Sequence, residues 1–295
     1  MYRFQSFHPI TKTVFFAVIF AITMFSENPV VRVTSLVGAV CALAAAGLSS
    51  KKLLKLIGGG AIAIAIMGPV NCIISHQGQT VLFKVFSSSI TAEAFFYGLS
   101  AGVMIVGTTF WCVFITDAMD TDDIVFTLGR ILPGIASVIT VTLRYIPEII
   151  KKYRETFTAQ KMIGVFEGKK FFGRAAIASK VFMSVTERSV EGAMDTAAVM
   201  RARGYGLRKR ISARQKKWRE CDTRTVTVAL ICAGFIAAGE ITGDLGFSYY
   251  PTTGFVRMGL LGLPMILASA LFFMMPAAEL IDGRIKWQKS FRYRG

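Results

Sequence analysis

The run Met194-Asp195-Thr196-Ala197-Ala198-Val199-Met200-Arg201-Ala202-Arg203-Gly204-Tyr205-Gly206 holds the residues best suited to recognition chemistry. A glycine just past the last helical residue stops a helix, because it adopts the left-handed conformation without a Cβ penalty. An arginine in the last turn complements the negative end of the helix dipole. Its planar fork can also clamp a carboxylate or a set of carbonyls on another protein. Ala202 keeps the tip narrow enough to enter a groove. Read plainly, the same tripeptide is a capped helix end, and only its context gives it more weight.

Other chemistry is largely excluded. Cys41, Cys72, Cys112, Cys221 and Cys232 are odd in number and widely spaced, which suits small apolar packers better than bridges or ligands. His8 and His76 are the two histidines, and without H-E-x-x-H or C-x-x-C the residues point to no metal site. A G-x-x-x-x-G-K-[ST] loop is missing too, so no P-loop ATP hydrolysis is expected of this chain. We expect no catalytic residues, no metal and no cofactor in it.

The elements that position the tip belong to a membrane protein. Of 295 residues, 53% are hydrophobic and 24 are Phe, and the mean hydropathy is +0.53, beyond what a soluble domain of this size carries. Apolar runs long enough for a hydrocarbon core of about 30 Å lie near Ile10–Phe25, Pro29–Leu48, Leu53–Ile74, Ala92–Thr116, Thr225–Ile241 and Val256–Leu280. Runs this continuous indicate helices rather than a barrel. Glu27-Asn28-Pro29 follows the first run without a small-residue cleavage site, so no cleavable signal is expected. The fold class is therefore all-α, a polytopic membrane protein with about six transmembrane helices.

The net charge of +16 is unevenly placed. Lys51, Lys52 and Lys55 lie between the second and third spans, and most other basic residues fall in Arg130–Arg224 and Arg284–Arg294. The loops Ser26–Asn28, Ser75–Thr91 and Thr242–Phe255 carry almost none. This positive-inside pattern puts both termini in the cytoplasm, with anionic lipid as the partner of much of the charge. Nucleic acid is not the expected partner, since no aromatic platform interleaves the basic run.

The central segment Asp117–Arg224 organises the site. Asp117, Asp120, Asp122 and Asp123 mark a helix start, and Pro133-Gly134 stops the short apolar stretch Ile124–Leu132. From Ile135 a helical pattern puts Val138, Ile139, Thr142, Leu143, Ile146, Ile149, Ile150, Tyr153 and Phe157 on one face. Glu148 with Lys152, and Lys151 with Glu155, are spaced four apart as on a solvated face. Pro147 should kink this helix. A second helix, from near Gly173, places Ala178, Val181, Phe182, Val185, Ser189, Gly192, Ala193, Ala197 and Met200 on one face, with Glu187, Glu191 and Asp195 opposite. Two long amphipathic helices are expected to cross beneath the membrane, with C-terminal ends at Ala159–Gly164 and Met200–Gly204.

On these residues the chain resembles the transmembrane T-component of energy-coupling factor (ECF) importers for vitamins and metals. Asn71-Cys72-Ile73-Ile74-Ser75-His76-Gln77-Gly78-Gln79-Thr80 is similar to that family's Asn…His-x-Gly-x-Thr loop. Arg144-Tyr145-Ile146-Pro147 followed by Ala159-Gln160 resembles its Arg-x-x-Pro…Ala-Gln stretch, and Arg201-Ala202-Arg203-Gly204-Tyr205 its second Ala-Arg-Gly coupling motif. The resemblance runs from about Pro69 to Gly206 and implies that each of two coupling helices seats its tip in a groove of one ATPase subunit. The first tip departs from the pattern: it reads Met162-Ile163-Gly164, with Lys161 as the nearby charge. That departure fits a pair of non-identical ATPases, one with a more apolar groove.

What the resemblance implies is a non-catalytic coupling subunit in a prokaryotic cell membrane. ATP and magnesium act on two partner ABC ATPase subunits, and a small substrate-binding S-component carries the cargo, a vitamin or a cobalt or nickel ion. Ala159, Gln160, Lys161, Ile163 and Gly164, together with Arg201, Ala202, Arg203, Gly204 and Tyr205, are then the ATPase-coupling residues, with Arg144 and Pro147 as a structural hinge. The expected divisions are 1–116 and 225–283 for transmembrane helices, 117–224 for coupling helices and 284–295 for a basic cytoplasmic tail. The small residues Gly58, Gly59, Gly60, Ala61, Ala63, Ala65 and Gly68 suit either the S-component or packing within the chain, the latter favoured. A conventional ABC permease would dock through a loop between spans and line a central path with polar groups. A membrane-embedded enzyme would need converging intramembrane charges, and here Glu93, Glu240 and Glu279 read as isolated.

Overall fold

The computed structural model describes residues 7–75, 80–85, 88–165, 171–204, 218–243, 246–250, 254–255 and 262–292. In chain order these form α1 (Pro9–Phe25), α2 (Pro29–Ala46), α3 (Ser50–Ile74), β1 (Val81–Val85), β2 (Ser88–Thr91), α4 (Ala92–Ala118), α5 (Thr121–Ile131), α6 (Pro133–Met162), α7 (Phe171–Ala202), α8 (Glu220–Thr242), β3 (Phe247–Ser248), β4 (Gly254–Phe255) and α9 (Gly262–Arg292). Helices α2, α3, α4, α8 and α9 are long and apolar enough to cross a membrane, and α1 is a shorter apolar helix. The chain is an all-α polytopic membrane protein. Among the described residues the strands form two short antiparallel pairs, β1 with β2 and β3 with β4. Hydropathy gave no sign of them.

The chain divides into two units, Met1–Ile124 with Lys217–Gly295, and Val125–Lys216. In the first unit α2 packs against α4 and α9, α3 against α4, and α1 against α8. The core is an aromatic mesh. Phe15 meets Phe272 at 5.2 Å between ring centres, and Phe16 meets Phe114 at 5.8 Å. Trp111 is fully buried and donates its indole N–H to Ser35 Oγ at 3.0 Å, which in turn lies 2.7 Å from Thr23 Oγ1. Such interhelical hydrogen bonds average only about 0.6 kcal/mol in lipid, so close packing carries the bundle.

Glycine makes that packing possible. At Gly98 an added Cβ would lie 2.7 Å from Asn71 Cβ and 2.8 Å from the Met67 carbonyl oxygen, so α3 and α4 touch backbone to backbone. Gly98→Ala is expected to destabilise the membrane unit by about 1–3 kcal/mol, the usual result of overpacking. Its thermal unfolding in detergent checks this, and an unchanged midpoint would refute the close crossing. Of the small residues on α3, Gly60 and Gly68 are buried, against Val106 and Phe95 of α4. Gly58 and Gly59 have open space where a Cβ would stand.

Several spans begin or end differently from the sequence reading, most of all the last two. α8 begins at Glu220 rather than Thr225, because Asp222 accepts the Arg219 backbone N–H at 3.0 Å and caps the start. α9 continues through Arg292, so the stretch read as a basic tail is helical to that point. Residues 256–261, read as the start of this span, lie outside the described residues.

In the second unit α6 packs on α7. The buried face of α7 is Ile177, Val181 and Val185. Phe182, expected on that face, is 60% exposed, and Ala193 and Ala197 are exposed as well. On α6, Val138, Leu143, Ile146 and Ile150 are exposed too, whereas Ile139, Ile149, Tyr153 and Phe157 are partly covered. The apolar stripe is wider than one neighbouring helix can cover, so periodicity alone overstated the packed face. Pro147 sits inside α6 without ending it.

Candidate functional site

The two helix ends singled out in the sequence have the same backbone geometry. At the end of α7, Gly204 has φ +71°, its N–H bonds the Arg201 carbonyl at 2.9 Å, and the Arg203 N–H bonds Val199 at 3.0 Å. At the end of α6, Gly164 has φ +80°, its N–H bonds the Lys161 carbonyl at 3.1 Å, and the Ile163 N–H bonds Ala159 at 3.2 Å. Only a residue without a Cβ takes this left-handed stop at no strain. The matching bonds make Ile163 the positional equivalent of Arg203, Met162 of Ala202, and Lys161 of Arg201.

Both tips are open. Arg201, Ala202 and Arg203 are exposed, as are Ala159 and Lys161. Met162 and Ile163 are 82% and 75% exposed, apolar side chains uncovered at a helix end. Gln160 is half-buried, and its carbonyl accepts the Val165 N–H at 3.4 Å. Tyr205 lies outside the described residues. Arg144 and Pro147 are exposed on α6. Glu148 pairs with Lys152 at 2.9 Å and Lys151 with Glu155 at 3.9 Å, as the spacing predicts. The hydrogen bond and charge of Lys152 hold the Glu148 carboxyl below the usual carboxylate range. These pairs are surface features and contribute little. Each tip makes its described backbone hydrogen bonds within itself, so the pair offers two contact points, one ending in Arg203 and the other in Met162 and Ile163 with Lys161 beside them.

The motif that begins in the last turn of α3 ties that helix to α4. Asn71 donates through Nδ2 to the Ala94 carbonyl at 2.6 Å, and Thr80 donates through both N–H and Oγ1 to Glu93 Oε1, at 3.1 and 2.7 Å. Both ends of the motif thus grip the first turn of α4. His76 and Gly78 lie outside the described residues. Glu93, read from sequence as an isolated charge, is the buried anchor of this tie.

Sequence reasoning also missed two buried cations. Lys12 of α1 is 2% exposed and reaches Asp123 Oδ2 at 2.8 Å and the Ala118 carbonyl at 3.0 Å. Arg32 of α2 is 7% exposed; it donates from Nε to the Ser26 carbonyl at 2.9 Å and from Nη1 to Ser100 Oγ at 2.8 Å. Tyr249 joins this second cluster, 2.6 Å from Ser100 Oγ, beside a cavity of about 360 Å³. Ser26 donates to Glu240 at 2.7 Å, so that carboxylate is not isolated either. The available signal was position: Arg32 falls within the first turn of an apolar span, where a charge is costly unless used.

A family model described as CbiQ, cobalt transport protein, matches residues 5–213. The chain belongs to this family. The matched stretch takes in α1 to α7 and both tips, so the CbiQ match covers the whole region in which the sequence motifs lie. This is a transport protein of the membrane. α8 and α9 lie beyond the match, yet they supply Ala229, Ile236, Phe272, Phe273 and Leu280 to the core. They are structural members of the bundle rather than an appendage. No curated protein matches the chain.

Proposed function

We propose that the chain is the coupling subunit of an ECF-type importer: two ABC ATPase subunits seat on the tips of α6 and α7, and their ATP-driven motion is passed to a separate substrate-binding membrane subunit. The observation that carries this reading is the pair of matched, exposed helix stops, Met162-Ile163-Gly164 and Ala202-Arg203-Gly204. A helix end closed by a left-handed glycine presents its last side chains axially, as a plug for a groove. The family description names cobalt, so we take Co²⁺ as the cargo. This chain itself hydrolyses nothing; ATP and Mg²⁺ belong to the partners. Apolar Ile163 opposite cationic Arg203 favours two ATPase grooves of different character.

Expressed with its neighbouring subunits and purified through a tag on this chain, the complex should contain nucleotide-binding subunits and a small membrane partner. Recovery of the chain with neither refutes the reading.

The uneven charge supports a topology with both termini and Asp117–Arg224 on the cytoplasmic side. Single cysteines in a variant lacking the five native ones test this in intact cells. Positions in Ser75–Thr91 and Thr242–Phe255 are expected to react with an impermeant maleimide, and positions in Arg208–Lys217 only after lysis. Labelling of the latter from outside would invert the topology.

A further inference from the structure

The chain leaves the first unit after Ile124 and returns to it at Lys217. Both crossing points are held at the start of α1, one by Lys12 in its first turn and the other by its N-cap residue, His8. Lys12 Nζ bonds the Ala118 carbonyl at the end of α4 and Asp123 Oδ2 in the first turn of α5, so it bridges the joint between those helices. One turn earlier, the His8 backbone N–H donates to Asp222 Oδ1 at 2.8 Å, in the first turn of α8. The second oxygen of Asp222 holds the Arg219 N–H, and the His8 ring lies 5.0 Å from that of Trp218. His8, Lys12, Asp123 and Asp222 are all buried. His8 and Lys12 are joined by the helix's own bond, Lys12 N–H to His8 carbonyl at 3.3 Å.

We propose that the start of α1 is a clasp that locks the outgoing and returning connections of the Val125–Lys216 unit into one rigid joint, with Lys12 as the positioning residue. The inference rests on the coupling reading above. A displacement of that unit reaches the membrane helices only through these two covalent connections or through contacts it makes directly. With both connections fixed to α1, neither slides without the other. A buried ion pair is seldom a net source of stability, but it imposes direction, because the Asp123 carboxylate and the Ala118 carbonyl together define the pose of the ammonium. An apolar pair in its place would fill the volume and leave the joint free to slip.

The test is the double variant Lys12→Met with Asp123→Leu, in the full complex in membrane vesicles. Removing both charges avoids the unpaired buried ion that would disturb folding in either single variant. The double variant is expected to insert, assemble with the ATPase subunits and hydrolyse ATP like the parent. Co²⁺ taken up per ATP hydrolysed should fall by roughly tenfold, within the range of measured couplings between linked sites. A parental ratio overturns the clasp while leaving the coupling reading intact. If the parent chain brings down no nucleotide-binding subunits, that reading falls and the transmitting role falls with it. Hydrogen exchange on the purified full chain gives a readout that needs no partner. The double variant should raise exchange at Glu220–Arg224 as well as at Thr121–Val125, although His8 and Asp222 are untouched. An increase confined to Thr121–Val125 would mean a local prop and no clasp.

Discussion

Arg203→Ala is expected to lower affinity for the ATPase subunits by roughly ten- to hundredfold, the equivalent of losing one charge-assisted hydrogen bond of about 1.5–3 kcal/mol. The side chain is exposed at the end of α7, and Gly204 rather than the arginine forms the stop. Its loss therefore leaves α7 and the membrane unit folded, which the yield of membrane-inserted protein checks. Arg203→Lys should restore part of the binding, since an ammonium cannot reproduce a bidentate fork. Arg201 stands two residues earlier, about 200° round the helix, and its loss should have the smaller effect. Pull-down of the ATPase subunits and Co²⁺ uptake for each variant decide the matter. Parental assembly by Arg203→Ala would return the tripeptide to a helix cap.

Ile163→Glu at the other tip should be at least as damaging. Ile163 takes the place that Arg203 has at the end of α7, and its apolar side chain calls for an apolar groove. An unpaired carboxylate buried there costs on the order of 3 kcal/mol, or about a hundredfold in affinity. Ile163→Arg separates the two explanations of the missing arginine. If both grooves are acidic, the new arginine improves assembly; if the first is apolar, it weakens it. Assembly of Ile163→Glu at parental levels would remove the α6 tip from the interface.

Hydropathy made the membrane helices legible because lipid demands continuous apolar runs. α2 was expected over Pro29–Leu48 and spans Pro29–Ala46, closed by Gly47. α3 starts at Ser50, ahead of the expected Leu53, since Lys51 and Lys52 are good helix formers that an apolar window discards. The positions of the tips were legible from glycine stops. The polar contacts of the first unit were not: Lys12 and Asp123 are 111 residues apart, and His8 and Asp222 are 214 apart. No local pattern joins such partners. The face of α6 was half legible, because Val138, Ile146 and Ile150 continue the periodicity beyond what α7 covers.

The helices of the first unit differ in length, and that has a consequence for the bilayer around them. α1 and α2, with 17 and 18 residues, rise about 26–27 Å, while α3 and α4, with 25 and 27, rise about 38–40 Å. Against a hydrocarbon thickness of about 30 Å, the first pair falls short when upright, and the second is long enough to lean or to carry polar ends such as Lys51 and Lys52 into the headgroup region. Long acyl chains therefore load the short pair, and short chains relieve it while tilting the long pair further. Lys12 lies in the first turn of α1, the shorter member of the first pair. Acyl-chain length is thus expected to act on this protein mechanically, and reconstitution in lipids of different thickness measures how far.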